Sequence, residues 1–234
     1  MTKNKIGILG GLGPLATAEF LNIFFEIYIK EKNPKCDQDY PDIAIEVASS
    51  IPGRSQFIAD KNQPNPIPGM IEALKRLENS GANLIIMPCN TAHFCFDELL
   101  AAKKPQTNFL NMVAETINFC FKNNHRKPLL LATSGTVSTN IYQQESDKRK
   151  LECIIPNQSD LDQLMEIIYG EKGVKAGFAN SENAKKMADI VKNYKNEIDS
   201  VILGCTELPL ICEKISQPKI NTMNVICQKL LQII

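Results

Sequence analysis

The chain has 234 residues, 44% hydrophobic and 22% charged, the composition of a soluble globular protein with one large domain or two small ones sharing a core. Lys plus Arg and Asp plus Glu stand at 26 each, so no net field directs the protein to nucleic acid or an anionic membrane, and no apolar run reaches the length of a membrane span. Eight cysteines scattered through a chain of this size, with no targeting segment and no C-x-x-C pair, read as reduced thiols of a cytoplasmic protein and not as a disulfide framework.

The opening "MTKNKIGILGGLGP" is basic, but its apolar run is short and turns at once into glycines. Ile6–Leu9 is therefore expected as a first strand and not as the core of a signal peptide. A helical pattern over Leu15–Lys30 follows, then a loop at Glu31–Asp42 and a strand at Ile43–Ala48. The proline-rich stretch Ser49–Gly69 reads as a loop long enough to form part of a site. Helical periodicity returns over Asn65–Ser80 and gives way to the strand Leu84–Met87. Beyond it lie a helix at Asn111–Lys122 and strands at Leu129–Ala132 and Glu152–Ile155. Helices at Asp160–Glu171 and Ser181–Asn196, a strand at Val201–Leu203 and a last helix at Asn224–Ile234 complete the pattern. The strands read as buried on both faces, and their alternation with helices predicts an α/β fold with parallel sheets.

The two halves of the chain resemble each other. Strands end in "GILGGLGP" and "LLLATSGT", later strands end in "IIMPCNTA" and "VILGCTEL", and the short segments "NFLNMV" and "PKINTMNV" follow in turn. Gly13 lies 122 residues from Gly135, Cys89 lies 116 from Cys205, and Asn111 lies 110 from Asn221. A separation that drifts but keeps its order points to duplication of an α/β unit, against the alternative that parallel strands simply look alike. The expected division is a first domain of residues 1–98 with 211–234 and a second of 99–210, related by a pseudo-twofold axis with an active site in the cleft between them. Ligands of open α/β sheets bind beyond the carboxyl ends of the strands, where Cys89 and Cys205 both fall.

Two thiols in equivalent places suit a particular task. Covalent catalysis needs one sulfur and an activating histidine, yet Cys205 has none nearby, and His93 follows Cys89 by one helical turn. Two bases on opposite faces of one carbon instead allow a proton to be removed from one side and returned from the other. Free cysteine titrates at about 8.5, and the first turn of a helix favours its anion. "CNTAH" and "CTELP" are expected to form such turns, with Asn90, Thr91 and Thr206 as hydrogen-bond donors to a substrate carboxylate. Cys89, His93 and Cys95 imitate a metal-ligand set without a second matching pair, so no metal is expected.

Taken together, "GILGGLGPLAT", "MPCNTAH", "LLATSGT", "GVKAG" and "LGCTELP" resemble the aspartate/glutamate racemase family, and its aspartate racemase branch most. The resemblance implies a racemase that needs no pyridoxal phosphate or other cofactor, built as two similar α/β domains and commonly dimeric, acting on a small dicarboxylic amino acid. By the same resemblance Cys89 and Cys205 match the two catalytic bases, and Asn90 and Thr91 match residues that bind the substrate's α-carboxylate and amine. Thr133, Thr136 and Thr206 match polar lining. Arg54 and Lys175 match basic residues associated with the acidic substrate, and Gly11, Leu12, Gly13 and Pro14 match the glycine loop beneath it. The chain departs from the family at "VASSIPGR", where an asparagine-containing run and "IPDR" are usual, a departure that bears on substrate preference. Aspartate is expected over glutamate. Isomerisation of maleate, racemisation of a hydantoin, or turnover-free binding of a dicarboxylate are the alternatives.

Several residues carry more than one reading. Gly11-x-Gly13-x-x-Ala16 fits a dinucleotide fingerprint, but the acidic residue expected about 20 positions on is missing, and Glu46 stands 35 residues after Gly11. Pro14 suits the first position of a helix. His93 either contacts substrate or supports local structure, and His125 reads as solvated. Glu207 is placed either at the site, hydrogen-bonded near Cys205, or as a cap on the helix that follows. Cys95, Cys120, Cys153, Cys212 and Cys227 read as small buried hydrophobes, and Cys36 as an exposed loop thiol.

Overall fold

The computed structural model describes residues 4–234, so the basic opening at Met1–Lys3 lies outside the described residues. In chain order the elements are β1 (Ile6–Gly10), α1 (Pro14–Lys32), β2 (Ile43–Val47), α2 (Arg54–Ala59), α3 (Ile67–Asn79), β3 (Leu84–Ile86), α4 (Phe96–Ala102), β4 (Asn108–Phe109) and α5 (Met112–Lys122). They continue as β5 (Pro128–Leu131), α6 (Ser134–Ser138), α7 (Ile141–Asp147), α8 (Gln158–Tyr169), α9 (Ser181–Asn193), β6 (Ser200–Leu203), β7 (Lys219–Asn221) and α10 (Thr222–Leu231). The fold is α/β with two parallel sheets, ordered β2-β1-β3-β4 and β5-β6-β7. Among the described residues no helix is long and apolar enough to cross a membrane.

Two compact units divide the chain. One comprises the residues up to Glu115 together with Met223–Ile234, and the other Thr116–Thr222. The expected boundaries at 98/99 and 210/211 fall too early on both counts. Pairing explains the difference: β4 belongs beside β3, and β7 belongs beside β6, so each carries its unit's boundary past it.

In the first unit the period-two geometry of the strands splits the core cleanly. Ile6, Ile8, Leu84 and Ile86 turn to one side, against Phe20, Phe24 and Tyr28 of α1 and Met223, Ile226 and Leu230 of α10. Leu9 and Ile85 turn to the other, against Met70, Ala73, Leu74 and Leu77 of α3 and Leu99 of α4. In the second unit Leu129, Leu131, Val201 and Leu203 pack on Leu164, Ile167 and Ile168 of α8 and Met187, Ile190 and Val191 of α9.

Several elements differ from the expectation, among them the unread short helices α4, α6 and α7. β2 is an edge strand whose Ile45 and Val47 are exposed, so it is not buried on both faces. The stretch 49–69 is not one loop, since α2 forms within it. Residues 152–155 make only the bridge between Ile154 and Leu129, because Pro156 supplies no N–H and restricts the residue before it. β4 and β7, two and three residues long, lie in "NFLNMV" and "PKINTMNV", the two segments matched between the halves but not read as strands. With them in place, the same succession occurs along both halves of the chain: a strand ending at a polar turn, a strand ending at a cysteine, a short strand, and then a helix at the boundary between units.

Candidate active site

The glycine loop after β1 is built by steric necessity. Gly11 has φ +79°, and a Cβ there would stand 2.4 Å from the Ala48 nitrogen. Its N–H donates to Thr17 Oγ1 at 2.9 Å, and that hydroxyl donates in turn to the Gly13 carbonyl at 3.0 Å. Thr17, which sequence reasoning passed over, thus ties the loop to the first turn of α1. Pro14 stands at the start of that helix, as its fixed φ favours. Arg54, the first residue of α2, lays its Nη2 against the Leu12 carbonyl and its Nη1 3.4 Å from the Pro52 carbonyl. Arg54 Nε is buried without a hydrogen-bond partner among the described residues. A guanidinium half-used by backbone carbonyls, with a buried donor to spare, is equipped for a carboxylate.

Cys89 follows β3 after Met87 and Pro88. It is buried, with its N–H donating to the Met87 carbonyl at 2.8 Å. Asn90 and Thr91 are buried beside it and open a 3-10 turn over Thr91–Cys95. His93 lies in that turn. Its Nδ1 is 2.9 Å from the Cys89 carbonyl, and its Nε2 accepts the Met112 N–H at 3.1 Å. A backbone N–H can only donate, so Nε2 carries the lone pair and Nδ1 the proton, and the ring is neutral. Burial pushes its pKa down to about 4, although the hydrogen bonds to the backbone at Cys89 and Asn90 act the other way. His93 therefore has the structural role of its two readings: it ties the cysteine loop to the start of α5.

In the second unit Gly204 lets the exits of β5 and β6 press together. A Cβ at Gly204 would lie 2.8 Å from Leu130 Cδ1 and 3.1 Å from the Leu131 carbonyl, and its N–H donates to that carbonyl at 2.8 Å. Thr133, at the exit of β5, caps α6 by accepting the Thr136 N–H at 3.3 Å, and the two hydroxyls lie 3.1 Å apart. Next to Gly204, Cys205 is buried and its Sγ–H donates to Glu207 Oε2 at 3.0 Å. Thr206 Oγ1 donates to the same oxygen at 3.0 Å. The other carboxylate oxygen of Glu207 pairs with Lys175 Nζ, which also lies 5.6 Å from the Tyr169 ring centroid. Glu207 occupies the N-cap position of the 3-10 turn Leu208–Ile211 yet makes no side-chain cap bond. Of its two readings, the contact with Cys205 is the one realised.

Charges around Cys205 are closely set against one another. Burial and Glu207 push its thiol well above the usual range, while Lys175 pulls it down. Burial works against ionisation of Glu207, but Lys175 and the surrounding hydrogen bonds outweigh it and lower its pKa. The expected helical first turns are absent: the thiols precede 3-10 turns of five and four residues, one and two positions before their N-caps. Help for a thiolate must come from side chains more than from a helix dipole.

Each unit thus gathers one set of the sequence-predicted residues. Gly11, Leu12, Gly13, Cys89, Asn90 and Thr91 lie at the strand exits of the first unit, with Arg54 reaching the glycine loop from α2; Thr133, Thr136, Cys205, Thr206 and Glu207 lie at those of the second, with Lys175 reaching Glu207 from the 3-10 turn after α8. Cys95, Cys120 and Cys227 are buried as expected, Cys153 and Cys212 are half-buried, and Cys36 is exposed. Among the described residues no three His, Cys, Asp or Glu side chains gather as a metal-ligand set.

The family model described as Asp/Glu/Hydantoin racemase matches residues 9–230. The chain belongs to the Asp/Glu/Hydantoin racemase family. Within it, the broad specificity amino-acid racemase RacX of Bacillus subtilis (strain 168) is 27% identical over 214 residues, covering 90% of this chain and 88% of the relative. The aspartate racemase of Picrophilus torridus superposes with a TM-score of 0.80 at 27% identity, over 98% of this chain and 94% of its own. An aspartate racemase homologue from Pyrococcus horikoshii OT3 gives 0.79 at 28% identity, over 98% of both chains. The glutamate racemase of Campylobacter jejuni shares the fold, with a TM-score of 0.67 at 19% identity over 98% of this chain and 86% of its own. The protein is accordingly a racemase-family isomerase with the two-domain fold of these relatives.

Proposed function

We propose that the protein interconverts the L and D forms of aspartate, with Cys89 and Cys205 as the two bases and without pyridoxal phosphate. The observation that carries this reading is the repetition of a buried thiol at the exit of an equivalent strand in each unit, β3 and β6. A thiolate of one cysteine removes the α-proton, the carbon keeps the electron pair, and the thiol of the other delivers a proton to the opposite face. In this reading the two strand exits share one substrate, and the hydroxyls and amides of Asn90, Thr91, Thr133, Thr136 and Thr206 hold its polar groups and steady the charge that builds at the α-carboxylate. Arg54, with its spare buried donor and its place against the glycine loop, is the partner for a side-chain carboxylate. The similarity to two structures described as an aspartate racemase and a homologue supports aspartate.

A broader amino-acid range is the second reading, favoured by the likeness to RacX and by the departure at Val47–Arg54. Circular dichroism or chiral chromatography on a panel of L- and D-aspartate, L- and D-glutamate, neutral amino acids, maleate and a hydantoin separates the readings. Aspartate is expected to turn over fastest. Turnover of maleate or the hydantoin alone would contradict the proposal, and tight aspartate binding with no α-proton exchange would make the protein a binding protein.

A further inference from the structure

The two cysteine loops differ at one decisive position. Two residues after Cys89 stands Thr91, which is uncharged; two residues after Cys205 stands Glu207. The Glu207 carboxylate accepts from Cys205 Sγ and Thr206 Oγ1 on one oxygen, both at 3.0 Å, and meets Lys175 Nζ with the other. Lys175 comes from the 3-10 turn Val174–Ala176 that follows α8, and Tyr169, at the end of α8, lies behind it. Glu207, Lys175 and Tyr169 are thus the titratable groups that face this thiol or its immediate partners. Both Cys205 and Glu207 are buried, so water screens little of their interaction.

We propose that Glu207, clamped by Lys175, holds the proton on Cys205, so that Cys205 is the thiol of the pair in the resting protein and Cys89 the base of the first proton transfer. A carboxylate fixed against a sulfur offers an acceptor to S–H and repulsion to S⁻, and it favours the protonated form on both counts. Lys175 serves two ends: it keeps Glu207 ionised in a buried place and limits how far the thiol is stabilised. Burial and the Glu207 charge both raise the Cys205 pKa, and Lys175 opposes them, in keeping with this geometry. Glu207 and Lys175 act here as positioning residues.

The second half of the inference rests on the racemase reading. In a turnover that starts with the proton held on Cys205, deprotonated Cys89 forms a bond from Sγ to the α-proton and the electron pair stays on carbon. The Cys205 S–H bond then breaks as its proton passes to the opposite face of that carbon. Another turnover in the same direction requires a proton to leave Cys89 and one to return to Cys205 through solvent.

The test is alkylation of Cys205 by iodoacetamide across pH 6 to 11, with the Cys205 peptide quantified by mass spectrometry, in the parent, Glu207→Gln and Lys175→Met. Removing the carboxylate charge is expected to lower the midpoint by about one pH unit or more, a roughly tenfold faster reaction at a fixed pH below it. Removing the ammonium is expected to raise the midpoint. A general loosening of the loop would not move the two variants in opposite directions. The alkaline limb of the kcat/KM profile with aspartate is expected to follow the same two shifts. An unchanged midpoint in Glu207→Gln, or shifts of one sign in both variants, would overturn the proposal. Should no amino acid be racemised, the functional reading fails by itself, and the alkylation curves still decide whether Glu207 holds the proton.

Discussion

At Gly204 a hydrogen atom is all the space permits. The Cβ of an alanine would meet Leu130 Cδ1, Ala132 Cβ and the Leu131 carbonyl at 2.8, 3.0 and 3.1 Å, so Gly204→Ala makes the buried Leu130 side chain and the exit of β5 give way. A loss on the order of 2 kcal/mol in urea unfolding is expected, together with lower activity, because Cys205 is the next residue; unchanged stability would contradict the packing. His93 makes a prediction of different character. Its pKa is near 4 in the folded chain and near 6.5 when unfolded, so the unfolded state binds the extra proton between those values. This contribution is fully present above pH 6.5 and is lost as pH falls towards 4, with a total on the order of 3 kcal/mol. His93→Gln keeps a donor and an acceptor but does not titrate. It is expected to show a flatter stability curve between pH 7 and 4.5, and parallel curves for parent and variant would exclude the role assigned to the ring. Neither residue's function was legible beforehand. Gly204 sits in a motif dominated by its cysteine, and which of two readings His93 takes depends on a partner nineteen residues away.

Among the elements, the apolar strands and the amphipathic helices were the legible part, because a short continuous apolar run and a period of 3.6 leave different marks. β4 and β7 are short and carry polar residues (Asn108, Lys219 and Asn221) where β3 is wholly apolar, so no apolar run marks them, and they decide where the units end. The proline content of 49–69 concealed α2, whose six residues offer less than two turns of pattern. That helix matters, since it presents Arg54 to the glycine loop. Arg54→Met is expected to raise the KM for aspartate about tenfold or more while changing that for a neutral amino acid far less, as loss of a charge-assisted bond to a side-chain carboxylate requires. Equal effects on both substrates would move Arg54 from specificity to general support of the loop. The exposure of β2 carries a milder expectation. Ile45→Lys should leave the unfolding midpoint within about 0.5 kcal/mol of the parent, and a large loss would mean that this edge is covered in solution.

For the molecule as a whole, the repeated order of turn, thiol, short strand and helix is what the sequence disclosed most fully. Both cysteine positions and most of their polar neighbours could be named from motifs, because the strand exits that carry them are contiguous in sequence. The pairing of Lys175 with Glu207 spans 32 residues and follows only from the fold. In the proposed mechanism both sulfurs are needed to invert one carbon, and racemisation of L- and D-aspartate in D2O by Cys89→Ser and Cys205→Ser tests that need. The parent is expected to invert either enantiomer with deuterium entering at Cα, and each variant to lose inversion by at least about a hundredfold while one enantiomer still exchanges its α-proton. Inversion at near the parent rate in either variant would contradict it.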